Sequence, residues 1–367
     1  MKNCILVSTR KGLFTIKRNQ SGWNIAEHHF PGVNSSMVLH DQRDNTVYAA
    51  LGHGHFGVKL HRSGDEGRTW QELKPPAYPE LPPENLKGKE GKPPSLELIW
   101  SLETGGLDEP GVIWCGTIPG AILRSPDRGE TWEFNRPLWD DPRRKNWFGG
   151  GYDSPGIDSI AVDPRNSRHI VVAASVGGVW ITEDGGANWR CEGKGMRADY
   201  LPPSEAYNPA QQDPHRMVQC PAQPDVLWIQ HHNGVFRSSD GGANWVDVKA
   251  AVPSSFGFTA AVHPRDPDTA WFVPAQADAM RIPKSNQVVV SRTRDGGKTF
   301  EILRRGLPQE YAFDLVFRHS LDVDDSGDRL AFGSTTGSFW VSEDGGDSWQ
   351  TISNHLPPVY CVRFTKG

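Results

Sequence analysis

Ser342-Glu343-Asp344-Gly345-Gly346-Asp347-Ser348-Trp349 is one of six copies of a single pattern, Ser/Thr-x-Asp-x-Gly-x-x-Trp/Phe. The other five begin at Ser63, Ser125, Thr182, Ser238 and Thr293. Ser/Thr and Asp side chains accept hydrogen bonds from backbone N–H groups a few residues on, which closes a tight turn locally. The shared glycine (Gly67, Gly129, Gly186, Gly242, Gly297, Gly346) suits a backbone position with positive φ. The closing aromatic opens the next strand and offers a large apolar plate for packing. Short apolar runs flank each copy, such as Gly178-Val179-Trp180-Ile181 before one and Trp245-Val246-Asp247-Val248 after another. The pattern therefore reads as a hairpin turn in an antiparallel sheet, written six times.

This unit resembles the Asp-box, or BNR, repeat of sialidases, other glycoside hydrolases, sortilin-type receptors and a photosystem assembly factor. The resemblance covers nearly the whole chain and implies a β-propeller. It implies no single activity, because the family mixes enzymes, receptors and scaffolds. In that family the box lies opposite the active-site mouth, so Asp65, Asp127, Asp184, Asp240, Asp295 and Asp344 are expected to be structural.

The starts at 63, 125, 182, 238, 293 and 342 are separated by 62, 57, 56, 55 and 49 residues, lengths that suit four short strands plus loops. Val162-Asp163-Pro164-Arg165, Val262-His263-Pro264-Arg265 and Leu39-His40-Asp41-Gln42 read as equivalent turns between a blade's first and second strands. A seventh blade without a box is expected from strands at 4–9, 12–17 and 23–27, completed by Val359-Tyr360-Cys361-Val362-Arg363-Phe364. The expected fold is all-β: residues 1–367 as one seven-bladed propeller, closed by the C-terminal strand joining the N-terminal blade, with six blades as the fallback.

Composition narrows the function classes. A net charge of −5 over 367 residues argues against nucleic acid, which needs a basic stripe. No apolar run approaches the roughly eighteen residues of a membrane helix, so no membrane partner is expected. Met1-Lys2-Asn3-Cys4-Ile5-Leu6-Val7 reads as a strand and not as a secretory signal. Five scattered cysteines are neither a disulfide framework nor a zinc knuckle; they read as buried thiols in a reducing compartment, hence a cytoplasmic protein.

Candidate chemistry comes from the mouth face, where inter-blade connections and second-to-third-strand turns emerge. Long connections are expected at 74–96, 135–156 and 192–215. The last two carry Trp147 and Asp153, and Tyr207, and are too aromatic for disorder; they suggest a lid. Asp158, Arg216 and His319 align at equivalent positions on innermost strands, where a charge needs a ligand, water or a partner. The mouth turns add Arg10, His53 and His55, His231 and His232, Asp278 and Arg281. Asp158 and Asp314 are candidate acid or base groups and His319 a proton carrier, while the arginines suit an anionic or hydroxyl group. The sequence requires no cofactor; His53-Gly54-His55 is the candidate for a divalent metal.

Two motifs are set aside, one as a turn and one as out of place. Asp322-Val323-Asp324-Asp325-Ser326-Gly327 opens like an EF-hand but has Gly333 where the closing Glu belongs, so it reads as a turn. Arg281-Ile282-Pro283 echoes a sialidase motif but lies late in the chain, which disfavours a sialidase. There is no nucleophile elbow or phosphate loop. The favoured reading is a pocket that binds, and cleaves or rearranges, a small polar ligand of the carbohydrate class. A protein-interaction scaffold and a metal-dependent, lactonase-like hydrolase are the alternatives.

Overall fold

The computed structural model describes residues 3–82 and 93–365; part of the first expected long connection (83–92) lies outside the described residues. The strands form seven antiparallel sheets in a ring, with almost no helix. Innermost strands run in order Val359–Phe364, Asn34–Asp41, Leu98–Thr104, Gly156–Asp163, Pro214–Gln219, Gly257–Val262 and Leu321–Val323. Each contacts the next, and the last contacts the first, so the ring is continuous. The first blade is built as expected: Val359–Phe364 pairs with Cys4–Thr9, which is followed by Gly12–Asn19 and Gly22–His29.

All six repeated turns fold identically and lie on one face. In the first, the Ser63 hydroxyl donates to Asp65 Oδ1 at 2.8 Å and accepts from Gly67 N–H at 2.8 Å. Asp65 Oδ1 also accepts from Thr69 N–H, and Oδ2 from the Thr69 hydroxyl at 2.6 Å. The seventh position is therefore a donor in every copy: Thr69, Thr131, Asn188, Asn244, Thr299 and Ser348. Those donors hold Asp65, Asp184 and Asp295 at about 2, below the ordinary carboxylate value. The shared glycines have φ between 86° and 96°, where a Cβ costs energy.

The core lies between the sheets. Period-2 alternation gives each strand two apolar faces, and each interface buries indoles. Trp114, Trp147 and Trp180 fill the blade 3–4 interface. Trp271, Trp340 and Trp349 fill the blade 6–7 interface.

The turns after the innermost strands lock neighbouring blades. Asp41 and Asp163 each accept the backbone N–H of an arginine two residues on, and His263 Nδ1 accepts that of Arg265. The first of these echoes is thus one residue later than expected, with Asp41 and not His40 matching Asp163. Each arginine then reaches the next blade. Arg43, its side chain only 9% exposed, donates to Asp41 and to the carbonyls of Gly105, Gly106, Glu109 and Val112. Arg165 pairs with Asp225 at 2.5 Å in solvent. Asp324 accepts from Ser326 N–H, so the EF-hand-like stretch is a turn. Removing one partner of a buried pair leaves the other charge uncompensated, whereas an exposed pair is screened. Arg43→Ala is therefore expected to lower unfolding free energy in urea by about 3–5 kcal/mol, and Asp225→Ala, which removes only the exposed partner of Arg165, by less than about 1 kcal/mol.

Candidate functional site

Every innermost strand from blade 2 to blade 6 is broken by a bulge. A bulge inserts a residue, interrupts alternation and re-aims the side chains around it. In blades 2 to 5 the inserted residues are Ser36, Trp100, Asp158 and His215. The expected alignment of Asp158 with Arg216 is therefore corrected: Asp158 matches His215, and Arg216 matches Ser159. Arg216 then turns to a second cavity, of about 290 Å³, that opens on the face of the repeated turns and also holds Glu103, Asp322 and Arg363. His215 turns to the mouth.

At the mouth, off the ring axis, lies a cavity of about 380 Å³ lined by blades 4 to 7. Its walls are Phe148, Tyr200 and Phe258; its polar groups are Asp213, His215, His232, Asp278, Arg281 and Arg318. The two aromatic connections meet over one side: Phe148 lies edge-on to Tyr200 at 6.4 Å, and the Tyr200 hydroxyl donates to Gln211 O at 2.6 Å. From blade 6, Met280–Pro283 folds back on Ala270–Ala277 and carries Asp278 and Arg281 to the rim.

Asp213 organises the polar floor. Its Oδ1 accepts from the Ser175 hydroxyl at 2.9 Å and from Val176 N–H at 3.1 Å. Its backbone ties down the blade 5 turn, donating to His231 Nε2 and accepting from His232 N–H. Oδ2 lies 3.3 Å from His215 Nε2 and 3.4 Å from His232 Nδ1. Burial alone would raise this carboxyl, but the facing His215, His232 and Arg318 outweigh it and hold it well below the ordinary range. His215 is fully buried, donates Nδ1–H to Gly257 O at 2.6 Å and stacks on Phe258. Burial lowers its affinity for a second proton, with Asp213 opposing. Arg318 is buried over the faces of Trp100 and Phe258, at 4.8 and 5.5 Å, and donates to Ser175 Oγ. The ligand atoms of Asp213, His215 and His232 all lie within 4.8 Å of one another.

The structure brings together three of the residues singled out from sequence in this cavity: His232, Asp278 and Arg281. Asp158, Arg216 and His319 also meet, but on the axis, away from its lining. His319 Nε2 lies 2.6 Å from Asp158 O across the ring, and Arg216 Nη1 lies 3.4 Å from Ser159 Oγ. His231 is buried beneath the floor and burial lowers it to about 3. Trp147 is buried against Trp180 under the lid. Asp153 and Tyr207 are exposed on the lid connections. Arg10 is exposed on blade 1, and Asp314 on blade 7 accepts from the Ser334 hydroxyl at 2.7 Å and from Thr336. His53 and the exposed His55 sit on a single 3₁₀ turn of blade 2, apart from this cavity. Sequence reasoning passed over Asp213, His215, Arg318 and Phe258. The available signal was the run Asp213-Pro214-His215, sixteen residues before the His-His turn.

Asp158 is fully buried, and burial, against the pull of Arg318, raises its carboxyl to about 8. A folded value above the unfolded one adds stability that is complete below about pH 4 and lost as pH rises through about 8. Asp158→Asn should therefore gain on the parent chain across that window, by a few kcal/mol at its top. Urea denaturation at pH 4 and pH 8 measures it; a difference that stays constant with pH would mean the carboxyl is ionised throughout.

No family model matches the chain. A probable oligoxyloglucan-reducing end-specific xyloglucanase from Neosartorya fischeri is 26% identical over 221 residues, covering 53% of this chain. The match takes in only 25% of that relative's length. Among solved structures, an ancestral GH74 enzyme superposes with a TM-score of 0.57 at 16% identity, over 87% of this chain and 38% of that one. The structure described as YCF48 bound to D1 peptide superposes with a TM-score of 0.52 at 14% identity, over 87% of this chain and 81% of that one. At these identities the likeness carries the fold: the chain is a seven-bladed β-propeller similar to GH74 enzymes and to YCF48.

Proposed function

We propose that the mouth cavity binds a small polar ligand bearing an anionic group beside hydroxyls, with carbohydrates as the favoured class and glycoside hydrolysis as the activity. We also take the six turns as Asp-boxes, with the mouth on the opposite face. The observation that carries this reading is the pairing of Arg281 and Arg318 over a floor of Asp213, His215 and His232, between aromatic walls. Its volume falls within the range of small-molecule sites. Phe148 and Tyr200 offer faces and edges for sugar rings, and Arg281 stands over the Phe258 ring at 5.4 Å beside Asp278. Asp278, half-exposed at the rim, is the carboxylate able to approach a glycosidic oxygen, whereas Asp213 is committed to the floor. The likeness to a xyloglucanase and to GH74 enzymes supports the substrate class. Five unpaired cysteines support a cytoplasmic location.

The second reading, an interaction scaffold, is favoured by one feature: Tyr311 and Phe313 stand 85% and 54% exposed on the connection into blade 7. A protein partner would cover them, and Tyr311→Ala with Phe313→Ala would release it.

Thermal-shift and calorimetric titration against neutral oligosaccharides and sugar acids separates the two. The pocket reading expects a hit weakened at least tenfold by Arg281→Ala, and release of reducing ends that falls with Asp278→Asn. No hit, or a hit indifferent to Arg281, would leave the scaffold reading standing alone.

A further inference from the structure

We propose that Asp213, His215 and His232 form a binding site for one first-row divalent transition-metal ion at the floor of the mouth cavity. This inference rests on the pocket reading for its ligand, but not for the ion itself.

Protonation provides the first argument. Gly257 O can only accept, so the 2.6 Å contact places the His215 ring proton on Nδ1. Nε2 of the neutral ring is then a bare lone pair, and it points at a carboxylate oxygen 3.3 Å away. Two electron pairs do not face each other in a buried site without a cation between them. A second proton or a metal ion fills that place, and the arrangement of the neighbouring groups points to the metal.

The spacing provides the second. Bonds of about 2.1 Å to a tetrahedral ion set its ligands roughly 3.4 Å apart. Asp213 Oδ2 stands 3.3 Å from His215 Nε2 and 3.4 Å from His232 Nδ1. The donor set, two imidazoles and one carboxylate, suits zinc or another first-row ion and not calcium or magnesium.

The surroundings provide the third, because metal ligands are held by partners behind them. Ser175 and Val176 fix the far oxygen of Asp213, Gly257 fixes His215, and Asp278 lies 4.0 Å from His232 Nε2. His232 is further held edge-on between Tyr200 and Phe256. Three protein ligands leave coordination open toward the cavity, where Arg281 and Arg318 stand. The ligand class narrows accordingly: a carboxylate, or adjacent hydroxyl and carboxylate oxygens, shared between the ion and the arginines. His53 and His55 bring no third ligand of this kind among the described residues.

The test uses the untagged full chain, stripped with chelator and titrated with cobalt(II), read by visible absorption, and with zinc(II) in competition. One saturable ion per chain is expected, with a visible band of low coordination number. His232→Gln, at a partly exposed position, should weaken it at least a hundredfold while circular dichroism shows the fold intact. The double variant His53→Gln/His55→Gln should bind as the parent does. Absence of saturable binding, survival of binding in His232→Gln, or its loss in the blade 2 variant would each overturn the site. Arg281→Ala separates this from the pocket reading: it should retain the ion while losing the anionic ligand. A chain that binds such a ligand through Arg281 but takes up no ion would sink the metal site alone.

Discussion

The pairing of Val359–Phe364 against Cys4–Thr9 is the constraint on which the rest depends. A radial set of sheets has two free edges unless the ends of the chain meet, and a free edge neither holds its neighbours nor keeps them in register. Here the last strand enters the first blade at its innermost position, so blade 7 packs on blade 1 through Phe339, Val341, Val359 and Val362. Closure makes the axis a shared place. Residues as distant in sequence as Asp158 and His319 then touch across it.

Closure also divides the interior. Blades 4 and 7 bridge the axis through Asp158, His319 and Arg318, which donates to Ser175. Below this bridge Arg216, Arg363, Glu103 and Asp322 line one cavity; above it lies the mouth pocket with its own acids and bases. The bulges in the innermost strands of blades 2 to 6 assign neighbouring residues to different levels. His215 and Arg216 are adjacent in sequence yet serve opposite faces.

The mouth is asymmetric because the connections are unequal. Blades 3 to 4 and 4 to 5 are joined by long aromatic segments, stiffened by short turns at Arg136–Trp139, Pro142–Asn146 and Pro209–Gln211. They wall one side, and the blade 6 hairpin walls another, so the pocket sits off the axis. Desolvation there strengthens each charge, which is why Asp213 needs two hydrogen-bond donors behind it and imidazoles before it.

The sequence by itself determined the repeat, the all-β class, seven blades and the closing strand, because each is local or periodic. A Ser-x-Asp-x-Gly turn satisfies its own hydrogen bonds within eight residues, and the spacing counts the blades. It also placed His232, Asp278 and Arg281 at the mouth, since they sit on turns whose face follows from strand order. Only the tertiary structure decided which charges share a pocket. His215 was missed because a one-residue bulge reverses the facing of the side chains near it, and Asp213 and Arg318 precede the strands Pro214–Gln219 and Leu321–Val323, where alternation assigns no facing. A hydrogen bond spanning blades, such as His215 to Gly257, exists only once the ring has set two strands side by side.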